Sequence, residues 1–274
     1  MSFEGLLPET DVGVAAWIAP RLCGFGGRVC SVVPQGFEAY ARVLHPPDGN
    51  AAPVDGLTWA DVCRATGAVP HALMQWHSIS RTTRADAEAD PPAGRWTGPK
   101  PREGNLAEPA LQALLGVLEP YAGGQDCFVA VWEGWGWVDG GGTAFVSATS
   151  GPRELRPPVP PRRPGVPLAA LEAPRLQHPQ RNYLLFKGTL HAATTVGHQV
   201  TPDWFVPQSP SLMWPADRSW CIATEVDFDS TLVGGSRELI DAVIGARDLE
   251  AWPVGPQDDL SYSGDLVNSR ATRG

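Results

Sequence analysis

Lysine is almost missing from this 274-residue chain: Lys100 and Lys187 stand against nineteen arginines. No GxxxxGKS/T run occurs, so a phosphate-cradling P-loop is excluded. Long apolar runs are missing too, and none reaches the roughly 20 residues that a membrane-spanning helix requires. Positive charge is short overall, with a formal net charge of −9, which argues against binding a nucleic-acid backbone. Charged residues make up only 19% and hydrophobic residues 43%, a composition that folds rather than stays disordered. The length gives room for one or two domains and for a core that needs no covalent staple.

Cysteine is scarce. Cys23, Cys30, Cys63, Cys127 and Cys221 make an odd count with irregular spacing and no CxxC pair. They are expected to be reduced, mostly buried thiols of a cytoplasmic protein. The amino-terminal stretch MSFEGLLPETDVGVAAWIAP carries acids where a secretory leader carries basic residues, which adds to the cytoplasmic expectation. A GxSxG elbow, an HExxH helix and an EF-hand loop are all missing. The cluster Gly24-Phe25-Gly26-Gly27 lacks the third spaced glycine of a dinucleotide fingerprint and reads as a turn before a strand. Six histidines are scattered; His71 and His77 match no zinc spacing, and His45, His191 and His198 have no acid partner in sequence, so each reads as structural.

Alanine, arginine, proline and glycine are abundant, the bias of a G+C-rich genome. Eleven tryptophans are the more informative excess, since each buries a large area and its indole N–H wants a partner. Proline and glycine leave two breaks, at 81–105 and at 151–181, the second including Pro157-Pro158-Val159-Pro160-Pro161. Polyproline II is the natural state of that run, a connector that joins no sheet. Three ordered blocks remain, 1–80, 106–150 and 182–260, with a frayed tail after Ser261.

Helices are expected after Thr58, running to Gly67; after Asn105, with Leu111, Leu114, Leu115 and Leu118 as one stripe ended by Pro120; and after Ser236, through RELIDAVIGA. Strands are expected at 28–33, 38–44, 127–133, 183–187 and 220–227, with a sixth at 144–148. Strands outnumber helices and do not alternate with them, which predicts an α+β fold with a largely antiparallel sheet, a few short helices and a Pro-rich internal connector. A single domain over 1–274 with loop insertions is the economical organisation; two subdomains, 1–150 and 182–260, are the alternative.

Three segments carry candidate chemistry. Alternation along 220–229 puts Glu225, Asp227 and Asp229 on one strand face, about 6.5–7 Å from one to the next. Such a row suits Mg²⁺ or Mn²⁺, or arginines, and equally suits a polar sheet face in water. Glycines at 134 and 136 flank Trp132, Trp135 and Trp137, which form either an aromatic binding platform or rings folded over the strand to fill a core edge. The stretch 201–215 reads as an irregular apolar loop whose Trp204 and Trp214 either pack back or anchor a partner, and Asp217 and Arg218 follow it, free to pair locally or to meet the acidic strand.

The blocks RNYLLFKG (181–188), TPDWFVPQSPSLMWPADRSWCIATEVDFDSTLVGGS (201–236) and LEAWPV (249–254), with GFEAYARVLHP (36–46) and FVAVWEGWG (128–136), resemble a family of uncharacterised cytosolic proteins from G+C-rich bacteria. The resemblance implies one domain interrupted by variable loops. It implies no reaction, cofactor or catalytic residue.

With no catalytic constellation in view, the favoured expectation is a non-catalytic binding or interaction protein. An acidic surface with aromatic anchors suits a basic protein partner, not nucleic acid or membrane. The binding candidates are Trp132, Trp135, Trp137, Trp204, Trp214 and Arg218. One alternative is a metal-assisted hydrolase that uses Glu225, Asp227 and Asp229; another is a small-ligand-binding protein with a tryptophan platform. No cofactor is expected outside the metal alternative, and the oligomeric state is left open.

Overall fold

A computed structural model describes residues 2–47, 56–82, 94–140 and 164–268. The strands are β1 (Leu6–Pro8), β2 (Ala39–Leu44), β3 (Cys127–Trp132), β4 (Leu176–His178), β5 (Arg181–Gly188), β6 (Gly197–Thr201), β7 (Trp204–Pro207), β8 (Leu212–Pro215), β9 (Cys221–Ala223), β10 (Ser230–Gly235) and β11 (Ala251–Val254). The helices are α1 (Trp59–Thr66), α2 (Trp76–Ser80), α3 (Glu108–Ala122), α4 (Leu168–Glu172) and α5 (Arg237–Gly245). Nine strands form one antiparallel sheet in the order β1-β5-β3-β8-β9-β10-β2-β11, with β4 also paired to β5. Strands β6 and β7 make a separate two-stranded ribbon. The fold is α+β, and none of its described helices is long and apolar enough to cross a membrane.

Period-two alternation explains how the sheet is covered on both faces. Cys127, Val129 and Val131 of β3, with Leu184 and Phe186 of β5, face a cluster closed by α3 and α5. Phe128 and Ala130, with Tyr183, Leu185 and Trp214, face the other way, against Ala15, Ile18, Val29 and Val33. A small third cluster joins Leu44 to Trp59, Val62, Met74 and Ile79 of the α1–α2 region. Strand β3, before the Pro-rich segment, pairs over its full length with β5, after it, so that segment does not divide the sheet.

Local signals fix the helices. Thr58 and Asp61 form a reciprocal capping box at the start of α1, and Gly67 ends it in the left-handed region at φ +73°. The Thr58 hydroxyl first, then Arg64, hold the Asp61 carboxyl down to about 2. Glu250 adds a second cap, accepting from the amides of Trp59 at 2.6 Å and Ala60 at 2.9 Å. Ser236 caps α5 through the Leu239 amide. Leu111, Leu114, Leu115 and Leu118 are the buried face of α3, but Pro120 does not end it. Pro120 lies in the last turn, where its missing N–H removes one bond, and the helix runs to Ala122 before Gly123.

Several expectations are corrected. Segment 28–33 is no strand: Val29–Ser31 is a single 3-10 turn, and Arg28 makes an isolated bridge to Asp259. Trp220–Asp227 is a strand only over Cys221–Ala223. The supposed connector 151–181 contains α4 and β4, which joins the sheet; Pro157–Pro161 and the expected strand at 144–148 lie outside the described residues. The stretch 201–215 is not an irregular loop, because β7 and β8 lie in it. From Ser261 to Asn268 the chain packs rather than frays, and the rest of the expected tail lies outside the described residues: the Asp265 carboxylate is buried and accepts from the amides of Gln75, Val267 and Asn268 and from the His71 ring at 3.0 Å. Finally, Cys23 and Cys30 form a disulfide, their Cα atoms 5.3 Å apart, whereas Cys63, Cys127 and Cys221 are buried free thiols.

Candidate functional site

Antiparallel pairing brings opposite ends of neighbouring strands together. The starts of β5 and β8 therefore lie beside the ends of β3 and β9. At this corner a narrow cleft with about 30 Å³ of room, partly open to solvent, is lined by Phe25, His178, Arg181, Tyr183, Ser211, Thr224 and Glu225 among others. Arg181 and Tyr183, two residues apart on β5, project to the same face.

Arg181 organises the cleft. Its Nε and Nη2 donate to Glu225 Oε1 at 3.1 and 2.6 Å, and Nη2 also donates to Asp227 Oδ2 at 3.0 Å. The guanidinium lies 5.4 Å from the ring centre of Phe25 and 5.4 Å from that of Trp132, within cation–π range of both. Burial pulls the Arg181 pKa down, but the Glu225 hydrogen bond and the Glu225 and Asp227 charges outweigh it and hold it above its ordinary value. Burial, then the Glu225 charge, push the Tyr183 phenol well above its usual range. Burial lowers His178 to about 4, so its imidazole is neutral at neutral pH; it meets the Tyr183 ring edge to face, and its Nε2 is buried without a hydrogen-bond partner among the described residues.

Behind the cleft runs a buried chain of hydrogen bonds whose direction is fixed. His45 Nδ1 lies 2.6 Å from the Arg102 carbonyl, which only accepts, so Nδ1 carries the proton. Burial holds His45 down to about 4, and the neutral ring accepts at Nε2 from the Thr231 hydroxyl at 3.0 Å. With its one proton committed, Thr231 accepts from Thr224 at 2.8 Å. Thr224 therefore keeps only acceptor lone pairs for its remaining contacts.

The three carboxylates of 225–229 do not share a face. The chain leaves the sheet after Ala223 and turns, with the Phe228 amide donating to the Glu225 carbonyl at 3.0 Å. Gly104 presses on this turn at φ +69°, where a Cβ would lie 2.6 Å from the Val226 oxygen. Glu225 and Asp227 converge on Arg181, while Asp229 turns inward to Arg42. Among the described residues no group of three or more His, Cys, Asp or Glu side chains is placed to hold a metal ion.

The tryptophans also separate. The chain turns after Trp132 rather than staying extended, and the Trp132 ring folds over Gly134, where a Cβ would run into the indole. Trp132 meets Trp135 edge to face, Trp137 stacks with His198, and Trp135 and Trp137 both pack against the helix-side core. Trp214 is no anchor for a partner, since it sits on the interior strand β8 and is 0% exposed. Trp204 is 43% exposed on the β6–β7 ribbon, away from the cleft lining. Arg218 lies over Trp17, and Asp217 accepts from the Ser219 amide, so neither meets the acidic turn.

Of the expected site residues, the structure brings Trp132, Glu225 and Asp227 together. Phe25, His178, Arg181, Tyr183 and Thr224 join them without having been singled out. Their signals were faint: an aromatic between glycines, and a cation opening an apolar strand two residues before a tyrosine. No family model, curated protein or solved structure matches this chain.

Proposed function

We propose that the protein is a non-catalytic binding protein that engages a basic partner at this cleft. The observation that carries the reading is the arrangement around Arg181: one guanidinium faces two carboxylates, of which Asp227 remains 75% exposed, and the 55% exposed Phe25 packs on the same guanidinium. The formal charge of that trio is one negative, and neutral His178 adds nothing to repel a cation. Carboxylate and aromatic faces together suit the guanidinium or ammonium group of a partner's arginine or lysine. Thr224, an acceptor, adds to that preference. Trp204 supplies a second aromatic contact on the surface.

The proposed place of action is the cytoplasm, in keeping with the free thiols Cys63, Cys127 and Cys221, and there the Cys23–Cys30 disulfide would be a transient bond rather than a permanent staple. Calorimetric titration with tetra-arginine amide tests the function. Saturable binding that weakens with salt and falls at least fivefold in Asp227→Asn supports it. Equal binding of a tetra-glutamate peptide, or no binding of tetra-arginine, sinks it.

A further inference from the structure

We propose that the Cys23–Cys30 disulfide is a redox latch on the lip of the cleft, holding Phe25 over Arg181 when closed and releasing it when reduced. The inference rests on the binding reading above, whose site it regulates. The disulfide closes a ring over seven residues of sequence separation, and its two halves are held differently. One half is stitched to the 256–261 segment: Leu260 donates to the Gly27 carbonyl at 2.8 Å, Val29 to Asp258 at 3.1 Å and Cys30 to Pro256 at 2.8 Å. Gly27 packs so closely that a Cβ there would meet Ser261 at 2.6 Å. The other half carries Phe25 and stands free of such packing, with nothing within 4 Å of a Cβ built on Gly24. Its ties are at Cys23: the disulfide, the amide hydrogen bond to the Cys30 carbonyl at 2.8 Å, and contacts to the sulfur from Gln35 Nε2 at 3.1 Å and, more loosely, from Gln257 Nε2 at 3.8 Å. Cutting the disulfide therefore loosens the half that forms one aromatic wall around Arg181 and leaves the other half in place.

Access to the bond is one-sided in the same sense. Cys23 is exposed and Cys30 is fully buried, so an attacking thiolate reaches the Cys23 sulfur. With a dithiol as reductant, its first thiolate bonds to the Cys23 sulfur and the Cys23–Cys30 bond breaks, and Cys30 takes up a proton. The second thiol, as thiolate, then attacks its own partner sulfur and expels Cys23 as a thiol. The protein gains two electrons and two protons, and the dithiol leaves as a cyclic disulfide.

The test compares the oxidised chain, the chain reduced with dithiothreitol, and the Cys23→Ser/Cys30→Ser variant. The first measurement is the rate of chymotryptic cleavage after Phe25, and the second is affinity for tetra-arginine amide. Reduction is expected to speed the cleavage at least tenfold and to weaken the peptide at least threefold. The double variant should sit at the reduced values and ignore the reductant, and Phe25→Ala should bind weakly in both redox states. Equal cleavage rates in the two redox states overturn the latch, whether or not the peptide binds. Faster cleavage with unchanged affinity overturns its control of the cleft. Absence of peptide binding in both states overturns the binding reading and the regulation with it, while the cleavage rates still show whether the bond holds the lip. Should the double variant fail to fold, reduction of the native chain supplies the same comparison.

Discussion

The carboxylate of Asp229 lies 3.3 Å from the guanidinium of Arg42, a side chain only 1% exposed. The other Arg42 donors reach Ser230 Oγ and the carbonyls of Ala72 and Met74, and the Trp59 ring lies 5.6 Å away. Burial pushes the Asp229 pKa up, and Arg42 pulls it back. Removing one member of a buried pair leaves the other charge uncompensated. Asp229→Ala is therefore expected to destabilise by about 3–5 kcal/mol. Asp227→Ala, at an exposed pair with Arg181, is expected to cost under about 1 kcal/mol. Urea denaturation of the two variants makes the comparison, and equal losses contradict the assignment of the two carboxylates to different environments.

His45 gives a pH dependence with a definite sign. Its folded pKa of about 4 lies below the ordinary 6.5, so the unfolded chain binds the proton first as pH falls. The stabilisation is complete above 6.5 and is lost on going down through the folded value. Between pH 7 and pH 5 this group alone removes about 2 kcal/mol. His178, shifted in the same direction, adds to the loss. Urea midpoints measured across this range at constant ionic strength should fall steadily, and a flat profile contradicts neutral, buried rings.

The hydroxyl chain behind the cleft predicts an order of effects. Thr231 both donates to His45 and accepts from Thr224, whereas Thr224 sits at the end of the chain. Thr231→Val is expected to cost about 2–3 kcal/mol and Thr224→Val about 1 kcal/mol. Chemical denaturation gives the order, and ¹⁵N spectra of His45 should show the Nδ1-protonated ring in the native chain. An Nε2-protonated ring would reverse the chain and remove the acceptor assigned to Thr224.

Helix α1 depends on a residue far along the chain. Glu250 accepts from two of its first amides, so Glu250→Ala is expected to destabilise by about 1–2 kcal/mol, with Thr58→Ala costing about 1 kcal/mol. Thermal melts of both single variants and the double variant decide whether the two caps add.

What was legible in the sequence was local. Thr58 with Gly67, Ser236 before its apolar stripe, and the alternation of β3 each rest on neighbours within a few residues. The α+β class followed from such signals. Alternation misled at 225–229 because the Glu225–Phe228 turn and the pressure of Gly104 end the strand at Ala223, and no pattern within the segment announces a glycine arriving from elsewhere. The same holds for Trp214, whose burial depends on β8 lying between β3 and β9. The corner where Phe25, Trp132, Arg181 and Glu225 meet is assembled from four separate stretches of chain, and the pairing of Cys23 with Cys30 depends on the turn between them.

Both margins of the large sheet are short: β1 and β4 are three residues each and β11 is four. On one side β1 and β4 share the outer flank of β5, and the Glu9 amide already takes the Leu185 carbonyl. On the other side β11 is four residues long, and exposed Pro253 has no N–H to give. An incoming peptide thus finds only a few residues of main chain to lie along at either margin of this sheet. If the proposed binding holds, recognition falls to side chains, so swapping one cationic side chain of a ligand for another should matter more than changing the length of its backbone.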